Sequence, residues 1–220
     1  MTILKMSLCL GMAALGAVCF LRCYLDQRRA RDLRSRWTAP GAEGELRLRN
    51  IVRDEDILRT KCTAVERIDS KVLKNLDGML EIMYKNKGIG LAANQVGLTQ
   101  RLVVVDLQEN GVRKPIFLVN PEILEKSRET GLGPEGCLSV PVGEKSEVRR
   151  SVQLRVKYLN KSGEEVILEA TGLLAICLQH EIDHLDGILY IDHLSEDRRN
   201  YLLEKAQKRI GLLERGKIWK

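Results

Sequence analysis

Residues 179–184 read QHEIDH, and no other stretch restricts the fold as strongly. Histidines four residues apart project from one face of an α-helix, one turn above the other. A helix over this segment therefore brings His180 and His184 to a single cation. Glu181 follows His180 directly, where a carboxylate can take a proton from a polarised water. The chain holds only 3 histidines, and two of them flank this glutamate. Chance placement on a solvated helix face is the weaker account, and the segment predicts a metal-binding helix with an acid–base carboxylate.

Two residues compete to complete the ligand set. Glu204 lies 20 residues beyond His184, the spacing a metallopeptidase uses. It stands in LLEKAQK, however, where a glutamate is an ordinary solvated charge on an amphipathic helix. His193 is out of place for a third histidine ligand. Cys137, in PEGCLSVP, is the upstream competitor: a thiolate with two imidazoles makes a three-ligand site with one position open. Taken alone, Cys137 reads as a small buried hydrophobe. A third stretch, GIGLAANQVG at 88–97, brackets Ile89 with two glycines that let backbone approach a ligand, and Gln95 offers an amide donor. No GK[ST] follows, so it is not a phosphate loop.

Apolar periodicity sets the frame around these segments. Val72, Leu76, Met79 and Met83 recur at helical spacing, predicting a helix over 70–85 with Asp69 or Ser70 as N-cap. Residues 102–105 and 116–119 are short β-branched runs of buried-strand type. Val152, Leu154, Val156 and Tyr158 alternate with Gln153, Arg155 and Lys157, a half-buried strand, and residues 160–163 are a hairpin signal leading into 166–170. A second helix is expected over 172–185, and a third after Ser195 with Leu202, Leu203, Ala206, Ile210 and Leu213 on its apolar side. The order predicts an α+β domain: a mostly antiparallel sheet around the HExxH helix, with an N-terminal and a C-terminal helix.

Charge and cysteine usage narrow the function classes. The net charge is +6, but residues 1–44 carry +4 of it and residues 45–220 only +2. With aromatics at 4%, the chain lacks the basic face or stacking platform of a dedicated nucleic-acid binder. Its 6 cysteines include no CxxC pair and form no small-domain disulfide framework, which fits a reducing compartment. Residues 6–21 are an uncharged, mainly apolar run at the lower limit for a membrane span, followed by an arginine-rich stretch. If it inserts, the positive flank keeps the rest of the chain in the cytoplasm; otherwise it is a plain extension. Residues 38–44 (TAPGAEG) read as a linker, so the expected division is an extension at 1–44 and one domain at 45–220.

Taken together and in order, GIGLAANQ, EGCLS and QHEIDHLDG resemble the peptide deformylase family, whose signature is GxGLAAxQ, EGCLS and QHExDHLxG. The resemblance runs from about residue 57 into the helix after Ser195. It implies that Cys137, His180 and His184 are metal ligands for Fe²⁺, with Zn²⁺ or Ni²⁺ as substitutes. It implies that Glu181 is the acid–base group, and that the Gln95 side chain and Leu138 N–H hold an oxyanion. The reaction implied removes the formyl group from the N-terminal formyl-methionine of nascent polypeptides. Leu173, Ile176, Cys177 and Ile89 are candidates for an apolar slot, each with plain core packing as its alternative. Strand-like backbone at 88–90 (Gly88, Ile89, Gly90) and 138–140 is expected to pair with an extended peptide. Glu135 and Asp183 are candidates to orient the histidines or an arginine.

Two departures stand out. The stretch 131–134 is one residue longer than in typical bacterial members, and Glu144 and Lys145 stand where some members place a substrate-contacting arginine. Alternatives are a metallopeptidase using Glu204, or a binding protein on the same fold. The basic tail (Lys205, Lys208, Arg209, Arg215, Lys217, Lys220) suits a transient ribosome contact, with a solvated helix face as the stronger reading.

Overall fold

A computed structural model describes residues 46–214. The extension at 1–44, its apolar run at 6–21, and the tail residues Arg215, Lys217 and Lys220 lie outside the described residues. No helix among the described residues is long and apolar enough to cross a membrane. The unit that carries the sites is Gly41–Arg209; the end of the last helix, from Ile210, falls in a second unit.

Among the described residues, four α-helices and seven strands follow one another as α1 (Glu55–Arg59), α2 (Ser70–Lys85), β1 (Gly90–Ala92), β2 (Leu102–Val105), β3 (Ile116–Lys126), β4 (Thr130–Glu135), β5 (Ser146–Ser151), β6 (Gln153–Leu159), β7 (Glu165–Thr171), α3 (Gly172–Leu185) and α4 (Glu196–Glu214). The strands form a five-stranded sheet in the order β1-β2-β3-β6-β7 and a separate β4-β5 ribbon. Every pairing is antiparallel. The α+β reading holds, and both long helices that precede and carry the motifs have the predicted bounds.

α2 forms where its apolar stripe recurs, and Asp69 is the N-cap, accepting the Val72 N–H at 2.9 Å. Its buried Val72, Leu76, Met79 and Met83 pack on β1 and β2. Leu76 has no exposed surface, so truncation to alanine costs about 2–5 kcal/mol. β2, the continuous run LVVV, is buried throughout because sheet neighbours and helices cover both faces. β6 alternates as expected, and its hairpin to β7 turns through Asn160, whose side chain accepts the N–H groups of Ser162 and Glu164.

Two elements run differently from expectation. β3 does not stop at Val119 but continues to Lys126, with register shifts between Val119 and Glu122 and again before Glu125. Asn120 adopts a left-handed φ of 53°, and its side chain bonds both the N–H and the C=O of Val65. That bulge lets the strand pass Pro121, which reads as a strand terminator. Residues 138–140 are not strand-like: Leu138 and Ser139 form a turn closed by Val140 N–H to the Cys137 carbonyl at 3.1 Å. Of the expected strand-like stretch 88–90, Gly90 alone is strand, opening β1 at the end of the sheet order, while Gly88 and Ile89 precede it as loop and bend.

α3 is buried nearly all round, with nine of its fourteen residues covered. It packs against β1, β2, β5, β6 and β7. Gln179, the first letter of QHEIDH, pins it to β5 by accepting the Ser151 N–H at 3.2 Å and donating to the Ser151 carbonyl at 3.0 Å. A further apolar cluster joins Val140, Val142 and Val148 to Leu189, Tyr190, Ile191 and α4's Leu202 and Ala206, and Cys137 packs against it.

Candidate active site

His180 and His184 sit one turn apart on α3, both buried, with ring centroids 5.0 Å apart and planes at 70°. Cys137 meets them from the turn after β4, its Sγ 3.2 Å from His184 Nε2. One donor atom from each of the three lies within 4.8 Å of the others, a grouping able to hold a metal ion. Residue spacing alone leaves Cys137 and Glu204 open as third partner, the family resemblance favours Cys137, and the structure brings Cys137 to the histidines. Glu204 is exposed and pairs with Lys208 on its own helix, far from this chemistry.

The electrostatics split the two imidazoles. Burial pulls His180 down, but Cys137 and Glu135 outweigh it and raise its pKa well above the ordinary value. Burial and the neighbouring His180 push His184 well below. Glu135 Oε2 stands 2.7 Å from His180 Nδ1, which leaves Nε2 to face inward. Asn94 Nδ2 donates to the His184 carbonyl at 2.5 Å, tying the end of α3 to the 88–97 segment.

Glu181 lies beside the cluster, and burial pushes its pKa up to about 7. Its Oε2 has no hydrogen-bond partner among the described residues. Gly90 is packed against it: a Cβ there would meet the Glu181 carboxylate and lie 2.7 Å from Cys177 Sγ. Glycine is the residue this contact requires.

Gln95 is held by its own oxygen, which accepts the Ala92 N–H at 2.8 Å. Its Nε2 is thereby aimed at Cys137 Sγ, 3.4 Å away, and Ser139 Oγ, 3.3 Å away. The Leu138 N–H, in the turn beside Cys137, has no acceptor among the described residues.

Cys177 Sγ approaches the Ile89 carbonyl at 3.7 Å, so Ile89, Gly90, Cys177 and Glu181 stand together. Gly88 lies against Leu138, and Ile176 against Gly133, where a Cβ would fall 2.7 Å from Ile176 Cδ1. Leu173 is brought to none of these. It is 53% exposed and lines a separate groove with Val112 and Ile116.

Three participants escape the sequence reading. Arg150 forks onto Glu135 at 2.7 and 3.1 Å and reaches Asp183 at 2.5 Å. Its signal is present in SEVRRS, whose alternation buries Ser146, Val148 and Arg150 on one face; a charge on a buried face needs partners. His193 accompanies it, 2.8 Å from Asp183. Tyr190 stacks on the His180 ring at 6.0 Å and 26°, a contact no local pattern foretells. Glu144, a departure in the sequence, is held by Lys205 and by Arg198 at 3.0 Å.

An α+β fold that assembles a thiol, two imidazoles, an amide donor and a buried carboxylate of raised pKa is that of a hydrolase. A family model for polypeptide deformylase matches residues 48–200. The peptide deformylase of Agrobacterium fabrum is 44% identical over 159 residues, covering 72% of this chain and 93% of that protein. Among solved structures, the Ehrlichia chaffeensis peptide deformylase in complex with actinonin aligns with a TM-score of 0.70 at 37% identity, over 74% of this chain and 96% of that one. That from Legionella pneumophila reaches a TM-score of 0.72 at 36% identity, over 77% and 98%. The chain belongs to the polypeptide deformylase family.

Proposed function

We propose that this protein is a metal-dependent hydrolase that removes the formyl group from the N-terminal formyl-methionine of newly made polypeptides and releases formate. The observation that carries the reading is the convergence of Cys137, His180 and His184 donors within 4.8 Å beside the unpartnered Glu181 oxygen.

The residues fit a divalent cation. A thiolate and two imidazoles are a donor set of intermediate softness, and three such donors within 4.8 Å of one another suit one divalent ion. Cys137, His180 and His184 would hold it, with Fe²⁺ as the working ion and Zn²⁺ or Ni²⁺ as substitutes. When bound, it supplies Lewis acidity, acidifying water and polarising a carbonyl. Glu181, near neutrality in pKa, takes the proton from water as the water attacks the formyl carbon. The Gln95 amide and the Leu138 N–H hold the developing oxyanion. Collapse breaks the C–N bond, and Glu181 returns the proton to the departing amine, leaving formate and a free amino terminus.

For substrate, Gly88, Ile89 and Gly90 offer backbone to an extended peptide, while Ile176 and Cys177 form the apolar wall for methionine. Leu173, exposed in a separate groove, is not part of that wall. A metallopeptidase reading loses its ligand, since Glu204 is engaged with Lys208. We keep residues 45–220 as the catalytic domain and 1–44 as an extension to it, acting in the cytoplasm where nascent chains emerge. Ribosome contact through the tail would rest mainly on Arg215, Lys217 and Lys220, because Lys205 and Lys208 are paired with Glu144 and Glu204. Unchanged ribosome co-sedimentation after deletion beyond Glu204 removes that contact.

The test is formate release from a formyl-Met-Ala-Ser peptide by the anaerobically purified chain beside Glu181→Ala. Release by the parent and a fall of roughly 10²–10⁴ in the variant are expected. No release by a folded, metal-loaded parent overturns the reading.

A further inference from the structure

Gln108 reaches the wall of the site from outside it. Its backbone is left-handed, with φ 53° and ψ 39°. Asp106 braces this loop: its carboxylate accepts the Gln108 N–H at 2.9 Å, the Lys114 N–H at 3.1 Å and the Tyr84 hydroxyl. From that base, Gln108 Nε2 donates to the Gly88 carbonyl at 3.2 Å. The Asp106 N–H donates to the next carbonyl, that of Ile89, at 2.8 Å. Two consecutive carbonyls of the cleft wall are therefore gripped by one loop.

The Gly88 carbonyl and the Ile89 N–H belong to one planar trans peptide unit and point in opposite directions. Holding the carbonyl against the loop turns the N–H away from it. That N–H has no acceptor among the described residues. It lies on the segment that runs into Gly90, which packs against Glu181 and Cys177. We propose that Gln108 is a positioning residue for deformylation: by fixing the Gly88–Ile89 peptide plane, it aims the Ile89 N–H at a main-chain carbonyl of the extended substrate. The inference rests on the proposed function and adds to it a residue that neither touches substrate nor belongs to a motif. Asparagine is tolerated at a left-handed position more readily than glutamine, but it is one methylene shorter, and that methylene supplies the reach to Gly88.

Two variants of the full, metal-loaded chain test this. Gln108→Gly relaxes the backbone and deletes the amide; Gln108→Glu keeps the length but presents only acceptors to the Gly88 carbonyl. For formyl-Met-Ala-Ser, KM is expected to rise on the order of fivefold in both, the worth of one peptide hydrogen bond, with kcat within about twofold. A merely structural role would lower Tm in step, whereas Gln108→Gly is expected to melt no lower than the parent. KM unmoved in Gln108→Glu, or kcat falling at constant KM, overturns the proposal. Absence of formate release from the parent overturns the deformylase reading itself, and this inference with it.

Discussion

Glu135 Oε2 lies 2.7 Å from His180 Nδ1, so a buried carboxylate selects which imidazole nitrogen faces Cys137. If His180 is a ligand as proposed, this partner tightens binding, and losing it should cost roughly 10–100-fold in metal affinity. Glu135→Gln keeps the shape but cannot serve Arg150 and His180 as a carboxylate does. Metal retained after dialysis against graded chelator is expected to fall in this variant. Retention equal to the parent would remove Glu135 from the site.

Arg150 is the counter-charge of two carboxylates, with 6% of its side chain exposed against 2% for Glu135 and 18% for Asp183. Burial pushes Glu135 and Asp183 upward, and their hydrogen-bonded partners hold both below the usual carboxylate range. Removing the cation leaves Glu135 with His180 and Asp183 with His193 as their remaining side-chain partners, without a permanent counter-charge. Arg150→Met is expected to lower unfolding stability by about 3–5 kcal/mol in urea titration. A loss under about 1 kcal/mol would mean that the network is not the structural support it resembles.

Gly90, the first residue of β1, packs against the Glu181 carboxylate with only a hydrogen where other residues carry a Cβ. A Cβ there would press on Glu181 and come within 2.7 Å of Cys177 Sγ. Gly90→Ala is expected to cost about 1–3 kcal/mol through overpacking. Displacing Glu181 by about 1 Å should cost on the order of 10²-fold in turnover. An alanine variant with parental activity would show that Glu181 does not need its present place.

Gly187 ends the turn after α3 with φ at 76°, its N–H donating to the His184 carbonyl at 3.0 Å. A Cβ would collide with the Arg59 carbonyl oxygen and lie 2.8 Å from its carbon. Both the left-handed φ and the backbone neighbour oppose substitution, so Gly187→Ala is expected to destabilise by at least about 2 kcal/mol. A Tm within about 1 °C of the parent would contradict this geometry.

Asp106 governs an acid limb. Burial pushes its pKa up, but the Tyr84 hydroxyl and the Gln108 and Lys114 N–H groups outweigh that and hold it below the ordinary 3.8. A carboxylate with a depressed folded pKa contributes stability that is fully present above the unfolded value of about 3.9 and is lost as pH falls through the folded one. Asp106→Asn should therefore melt below the parent at neutral pH, and the gap should close as pH drops beneath about 4. A gap constant from pH 7 to 3 would show that the charge of Asp106 contributes nothing.

The long helices were legible because their causes are local. The stripe from Val72 to Met83 marks α2, and two histidines at a spacing of four, inside a run of apolar residues, mark α3. The strand β3 was legible only to Val119, because the bulge that carries it past Pro121 depends on Asn120 meeting Val65, a residue 55 positions away. The turn at 138–140 was misread as extended, since its closure is a single bond between Cys137 and Val140 within a cluster built from α4 and Leu189–Ile191.

The candidate site divides in the same way. By itself the sequence determined the helix, the pairing of His180 with His184, the position of Glu181 beside them, and the residues able to complete the set, because period and residue chemistry act over a few positions. The family signature also pointed to Cys137 over Glu204, whereas tertiary structure alone decided that Arg150 lies between Glu135 and Asp183 and that Leu173 turns outward. Those outcomes depend on which strands pair and which faces are buried, and burial is what makes a charge seek its partner and a thiol its neighbours.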